Sequence, residues 1–197
     1  RGAKIMSELR SCDLRSLEEM MQQLQQPSFR AKQIFGWVHQ KNITDITQMS
    51  NIGKNLLAML QNEHTLGVMQ LEKRQVSADG TEKYLFRLSD GEFIECVLMR
   101  YRGDMSKARN TLCVSSQVGC AMGCIFCATG QSGLVRNLSV GEIVGQVYEV
   151  NALLGEKMPV GNVVFMGMGE PLLNLDNVLK AVELLNDVQG QNIGIRR

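Results

Sequence analysis

The sequence contains no run of about 18 apolar residues, which excludes a membrane-spanning helix of ordinary length. Its longest apolar stretch, around residues 162–168, is interrupted by glycines and reads as a buried strand. A secretory signal is also missing, because the opening RGAKIMSELR is charged and has no apolar core segment. The cytoplasm is therefore the expected compartment. Charge of either sign is not in excess: 21 Lys and Arg stand against 20 Asp and Glu, so bulk electrostatics gives no argument for a nucleic-acid partner. No internal repeat or low-complexity segment is visible. The chain does not begin with Met and breaks off where a strand would begin. The expectation is a piece of a longer protein, with a partner chain supplying the remainder as the alternative.

What is present is an ordinary globular composition, 44% hydrophobic over 197 residues, with one conspicuous irregularity. Six cysteines in a chain with no secretory signal argue for metal or redox use over a disulfide framework. Cys12 and Cys96 stand apart and read as packing residues, as do His39 and His64, while the other four cysteines crowd between Cys113 and Cys127.

Three zones follow from periodicity. Residues 1–62 read as a small helical accessory module: apolar residues recur at helical spacing through Leu14, Leu17, Met20, Met21 and Leu24, and Pro27 ends that run. A second helix is predicted from Ser28 through Val38 and a third over about 53–60. Residues 63–106 switch to alternation interrupted by Asp79-Gly80 and Asp90-Gly91, which predicts a short three-stranded antiparallel meander. A local basic run (Arg100, Arg102, Lys107 and Arg109 against Asp104) fits either a solvated loop or a phosphate contact. Residues 107–197 read as strand, loop, helix, strand, loop, helix. Strands are expected at 111–115, 162–166 and 193–195, and helices after the Ser139/Glu142 capping-box signal and over 175–185. The apolar run at 162–166 suggests a parallel strand covered on both faces. The fold class is α/β, an unfinished βα barrel preceded by the accessory module and the meander.

The central motif is Cys120-Ala-Met-Gly-Cys124-Ile-Phe-Cys127, in the loop after a strand, where open α/β folds bind ligands. Three thiolates at this spacing can each hold one corner of a cubane iron–sulfur cluster, leaving a fourth iron open for chemistry. Zinc, with Cys113 as the fourth ligand, is the alternative, but zinc sites usually show two separated cysteine pairs. A second motif, Gly167-Met-Gly-Glu-Pro171, follows the apolar strand. Its glycines would let backbone approach a ligand closely, and Glu170 offers a carboxylate to an ammonium group.

Together these motifs resemble the radical S-adenosylmethionine superfamily. The stretches Leu112-Cys-Val-Ser-Ser-Gln-Val-Gly-Cys120 and Met166-Gly-Met-Gly-Glu-Pro-Leu-Leu-Asn174 further resemble the dual-specificity adenosine-C2 RNA methyltransferases, the RlmN group with its Cfr relatives. The resemblance implies a partial radical SAM barrel and two cofactors, a [4Fe–4S] cluster on Cys120, Cys124 and Cys127 and S-adenosyl-L-methionine on the open iron. Gly169 and Glu170 would receive the methionine amino group, and Phe126 would lie against the adenine, with a plain core phenylalanine as the alternative.

The resemblance also implies the reaction. Electron transfer from the cluster yields a 5′-deoxyadenosyl radical that attacks a methyl group carried on a cysteine near the family's C-terminus. The resulting carbon radical adds to adenine, Glu95 accepts a proton, and Cys113 closes a disulfide that releases product. No cysteine follows Cys127 here, so the methyl-carrying residue has no counterpart in this sequence. The implied partners are 23S rRNA, tRNA and an electron donor such as flavodoxin, with no membrane and no statement on oligomeric state. A carbon-8 methyltransferase of the Cfr kind, or a non-catalytic metal-containing RNA-binding protein, are the competing readings.

Overall fold

The computed structural model describes residues 7–101, 103, 108–155 and 157–194. In chain order the elements are β1 (Ser7–Glu8), α1 (Leu14–Gln23), α2 (Phe29–Phe35), α3 (Lys54–Glu63), β2 (His64–Thr65), β3 (Gln70–Val76), β4 (Glu82–Arg87) and β5 (Phe93–Tyr101). They continue as β6 (Arg109–Cys113), β7 (Gln117–Gly119), α4 (Ala128–Gln131), β8 (Leu134–Asn137), α5 (Val140–Leu154), β9 (Val160–Val164) and α6 (Leu175–Asn186).

The accessory helices form where periodicity placed them. Asp13 caps α1 by accepting from the Ser16 amide at 2.7 Å, and Leu17 and Met21 turn inward. Helix α2 is shorter than expected because it passes into a π-helical turn at Gly36–Gln40. That turn delivers His39 into the interior, where Nδ1 meets the Tyr148 hydroxyl at 2.7 Å and Nε2 meets the Cys12 carbonyl at 2.9 Å. His39 is thus structural, as expected. His64 Nδ1 lies 2.5 Å from Ser7 Oγ, beside the short parallel pair β1–β2.

The main sheet runs β3-β4-β5-β6-β9. Its first four strands are antiparallel neighbours, and β6 and β9 are parallel. The meander is therefore hydrogen-bonded directly into the sheet that carries the cysteine loop, through Val97↔Cys113 to Tyr101↔Arg109. The sheet is open, as a partial barrel requires. Helix α5 crosses one face with both arms of the predicted capping box made: Ser139 Oγ accepts from the Glu142 amide, and Glu142 accepts from the Ser139 amide. This helix is buried almost all round, because the accessory module packs on its far side. Arg10 reaches Glu149 of α5 at 2.6 Å, a buried ion pair between module and core.

Two expectations fail at the end of the chain. Strand β9 was expected to be covered on both faces, yet only Val160 is buried and residues 161–164 are half-buried, since helices cover one side alone. The strand expected at 193–195 is not formed at residues 193–194, and Ile195 lies outside the described residues. In the basic run, Arg102, Asp104 and Lys107 also lie outside them. Arg100 is paired with buried Glu82, and Arg109 stacks 4.4 Å over the Tyr101 ring. No described helix is long and apolar enough to cross a membrane.

Candidate active site

Alternation along a strand sends successive side chains to opposite faces, so the pairing register fixes which residues share a face. Ile94, Cys96 and Leu98 of β5 and Leu112 of β6 are buried on the face covered by α5. Glu95, Val97 and Cys113 take the other, half-exposed face. The two residues singled out for proton and disulfide chemistry therefore sit on one open face of two adjacent strands. Cys96, next to Glu95 in sequence, is a packing residue as expected. Burial drives the Cys96 thiol pKa well up, and burial raises that of Cys113 too, opposed by a hydrogen bond from the Met166 backbone. Lys83 of β4 lies 3.0 Å from the Glu95 carboxylate across the sheet.

Beyond Cys113 the chain leaves β5 and follows β9. The Val114 amide donates to the Val164 carbonyl at 2.9 Å, and the Gly167 and Ser116 amides donate to Val114 and Met168 carbonyls at 3.0 and 2.8 Å. The hairpin β7–β8 then encloses residues 120–133, tied at its mouth by the Cys120 amide donating to the Gly133 carbonyl at 2.9 Å. Cys120, Cys124 and Cys127 are all free and half-buried within that enclosure. Amides of Gly130 and Thr129 face the Cys127 sulfur and lower its pKa, which favours the thiolate that a metal needs.

The side chains between the cysteines point outward. Ile125 is 93% exposed and Phe126 90%, so the core-phenylalanine alternative for Phe126 is overturned: no element of the described chain packs over it. Met166, at the tip of the second loop, is 81% exposed. Large apolar groups at this exposure mark a surface shaped for further contact.

The Gly-Met-Gly-Glu-Pro loop rises from β9 and lies against residues 114–117, the segment that leads into the cysteine loop. Its glycines also serve the packing of the chain on itself. A Cβ on Gly167 would fall 2.7 Å from Val114 backbone atoms, and one on Gly169 would fall 2.5 Å from Gln117 Cβ, with φ at +94°. Both glycines let this loop press against the neighbouring loop of the chain itself. Glu170 is half-buried; its amide donates to Gln117 Oε1 at 2.9 Å, and its Oε1 accepts from the Leu172 amide at 3.1 Å, capping the turn Pro171–Asn174.

Sequence reasoning gave no role to the polar residues that join the two loops. Ser115, Ser116, Gln117 and Gln146 are fully or nearly fully buried. Gln146 of α5 grips Ser115 twice, its Oε1 accepting from the amide at 2.8 Å and its Nε2 donating to the carbonyl at 2.9 Å. Gln117 Nε2 donates to Asn137 Oδ1 at 2.7 Å, and Asn174 Nδ2 donates to the Ser116 and Leu138 carbonyls at 2.8 and 2.9 Å. The available signal was a polar Ser-Ser-Gln run directly after an apolar strand, where buried polar groups need partners.

Residues 7–66 match the ribosomal RNA large subunit methyltransferase N-terminal domain, and residues 114–196 match the radical SAM superfamily. A probable dual-specificity RNA methyltransferase RlmN of Desulfitobacterium hafniense (strain Y51) is 52% identical over 174 residues, covering 87% of this chain and 49% of that protein. The dual-specificity RNA methyltransferase RlmN of Nautilia profundicola is 43% identical over 187 residues, covering 91% of this chain and 53% of its own length. A crystal structure of a radical SAM methyltransferase from Sphaerobacter thermophilus superposes with a TM-score of 0.87 at 40% identity, covering 97% of this chain and 55% of that one. The chain thus spans about half the length of the curated relatives it matches.

Superfamily membership implies a [4Fe–4S] cluster and S-adenosylmethionine, and the donor set fits. Three free thiols share one loop framed by a hairpin. Among the described residues no three of His, Cys, Asp and Glu converge as the ligands of a single ion would. A cubane differs in holding each thiolate on its own iron, so its ligands surround it instead of meeting at a point. An accessory module and a cofactor half that match different family models, relatives sharing one name and a common fold all agree: the chain belongs to the RlmN family of the radical SAM superfamily.

Proposed function

We propose that this chain supplies the cluster- and S-adenosylmethionine-binding part of a methyltransferase that modifies carbon 2 of adenosine in 23S rRNA and in tRNA. One observation carries the proposal. The hairpin that frames the three-cysteine loop follows β6, the Gly-Met-Gly-Glu-Pro loop follows its parallel neighbour β9, and Cys113 and Glu95 lie on one half-exposed face of β6 and β5.

Cys120, Cys124 and Cys127 hold the cluster as thiolates. Gly169 and Glu170 receive the amino group of the methionine moiety, and exposed Phe126 covers the adenine. Bound there, the cofactors supply one-electron radical chemistry that side chains cannot perform. Glu95 takes up the proton lost from the adenine ring, oriented by its ion pair with Lys83. Cys113 closes the disulfide that frees the methylated product. The cysteine that carries the methyl group in the family has no counterpart in this sequence, in which Cys127 is the last cysteine. The division of labour follows the chain: an accessory module to about residue 62, a meander that extends the sheet, and the cofactor part from about residue 107. A flavodoxin-type donor as reductant and the cytoplasm as site of action complete the reading.

Product analysis tests it. The complete gene product, loaded with cluster and given S-adenosylmethionine and reductant, should yield 2-methyladenosine in both RNAs by mass spectrometry of nucleoside digests. Exclusive 8-methyladenosine would assign the Cfr-type activity instead, and no methylated nucleoside would leave only a metal-containing RNA-binding protein.

A further inference from the structure

We propose that Ser115 is a positioning residue that fixes the Glu95 strand relative to the cofactor loop at Gly169-Glu170; the inference deepens the function proposed above and rests on it. Regular pairing between β5 and β6 reaches Val97↔Cys113 and goes no further, because the chain after Cys113 turns to follow β9. Glu95 lies two residues past that last pair, so the β5–β6 ladder does not hold it. The Ser115 hydroxyl bridges the gap, donating to the Glu95 carbonyl at 2.5 Å. The same oxygen accepts from the Met168 amide at 2.9 Å, immediately before Gly169.

One hydroxyl therefore ties the strand of the proposed proton acceptor to the loop of the proposed cofactor contacts. Ser115 itself cannot drift. Its amide and carbonyl are both engaged by Gln146 of α5, and its side chain is completely buried. Every polar group of the residue is used, and its partners lie on α5, on β5 and in the loop after β9. Alanine would leave the Met168 amide and the Glu95 carbonyl without this link, while keeping the Gln146 clamp and removing only one atom from the interior. The expected consequence is a misplacement of reacting groups relative to each other, with the fold retained. Such displacements are felt in rate far more than in stability.

The test uses the complete gene product reconstituted as holoenzyme, comparing wild type with Ser115→Ala and Ser115→Thr. For Ser115→Ala we expect an unchanged iron content and a several-fold higher KM for S-adenosylmethionine. The ratio of 5′-deoxyadenosine formed to methyl groups transferred should rise about tenfold. Ser115→Thr, which keeps the hydroxyl, should return that ratio to within about twofold of wild type. A purely structural role would lower the yield of active protein and leave the ratio alone, and that outcome overturns the inference. A wild type that cleaves no S-adenosylmethionine overturns the underlying function and this inference with it. A coupled wild type beside an equally coupled Ser115→Ala overturns this inference alone. Should Ser115→Ala not accumulate folded, amide exchange in the wild type decides: slow exchange at Met168 supports the bridge, and exchange at the rate of an open loop contradicts it.

Discussion

The two faces of the five-stranded sheet are built from the same strands and do opposite work. On the face under α5, Ile94, Cys96, Leu98 and Leu112 are sealed away and packed. Removal of apolar surface there supplies stability, at about 25 cal/mol per Å² buried. On the open face, Glu95 and Cys113 stay half-exposed, and the loops above them present Ile125, Phe126 and Met166 to the outside. Cys96 and Cys113 state the contrast in a single residue type. They sit on neighbouring strands, but alternation sends one into the core and the other to the open face. The open face forgoes burial to keep chemical groups within reach, and the covered face, braced through α5 to the accessory module, holds the strands in place.

The sharpest way to break this contrast is in the cysteine loop. Replacing Cys120, Cys124 or Cys127 by Ala should remove the cluster and all methylation. The melting curve of the metal-free chain should stay within about 0.5 kcal/mol of wild type, because the loop is no part of the packed interior. Next comes the cysteine pair. Cys113→Ala should reduce methylation below detection with little change in denaturant midpoint. Cys96→Ser should do the reverse, costing about 1–3 kcal/mol for a buried hydroxyl while leaving activity per folded molecule within a few-fold. Equal effects from the two substitutions would contradict the assignment of faces. Glu95→Gln keeps the shape and loses the proposed base, and should lower the methylation rate roughly a hundred- to ten-thousandfold at unchanged stability.

The last expected effect is a pH dependence of stability that leaves the chemistry of the open face aside. Burial, partly offset by the hydrogen bond to the Cys12 carbonyl, lowers the pKa of His39 from 6.5 to about 4. The folded protein thus keeps the ring neutral where the unfolded chain would already be protonated. The stability this supplies is complete above about pH 6.5 and is lost as pH falls towards about 4, on the order of 3 kcal/mol in all. Denaturant midpoints across that range should fall with acidification, and His39→Gln should flatten the slope. Glu82 adds to the loss only at lower pH. Burial works against ionisation of its carboxyl, but hydrogen bonds from Arg74, Tyr84 and Arg100 prevail and hold its pKa at about 2, against an ordinary 4.5.

Much of this was readable in the sequence wherever the signal is local. The Ser139/Glu142 capping box, the end of α1 before Pro27 and the Asp-Gly turns are short-range devices, and each forms where expected. The three-cysteine loop stands out for the same reason, since its motif is a matter of spacing. What escaped depends on partners distant in the chain. The joining of β5 to β6 made the meander part of the core sheet, which no local alternation could reveal. Strand β9 looked covered on both faces because an apolar run cannot say how many layers pack on it. Phe126 was ambiguous between interior and surface until the hairpin β7–β8 turned its loop outward. Ser115, Gln117 and Gln146 acquire their roles from hydrogen bonds spanning 20–53 residues.

The central claim is that three thiolates of one loop carry an iron–sulfur cubane. Anaerobic reconstitution of the chain, with iron and acid-labile sulfide counted, tests it directly. About four irons and four sulfides per chain, lost together when Cys120, Cys124 or Cys127 is replaced by Ala and retained when Cys96 is, are the expected result. Binding of zinc alone, or iron uptake indifferent to those three substitutions, would contradict it.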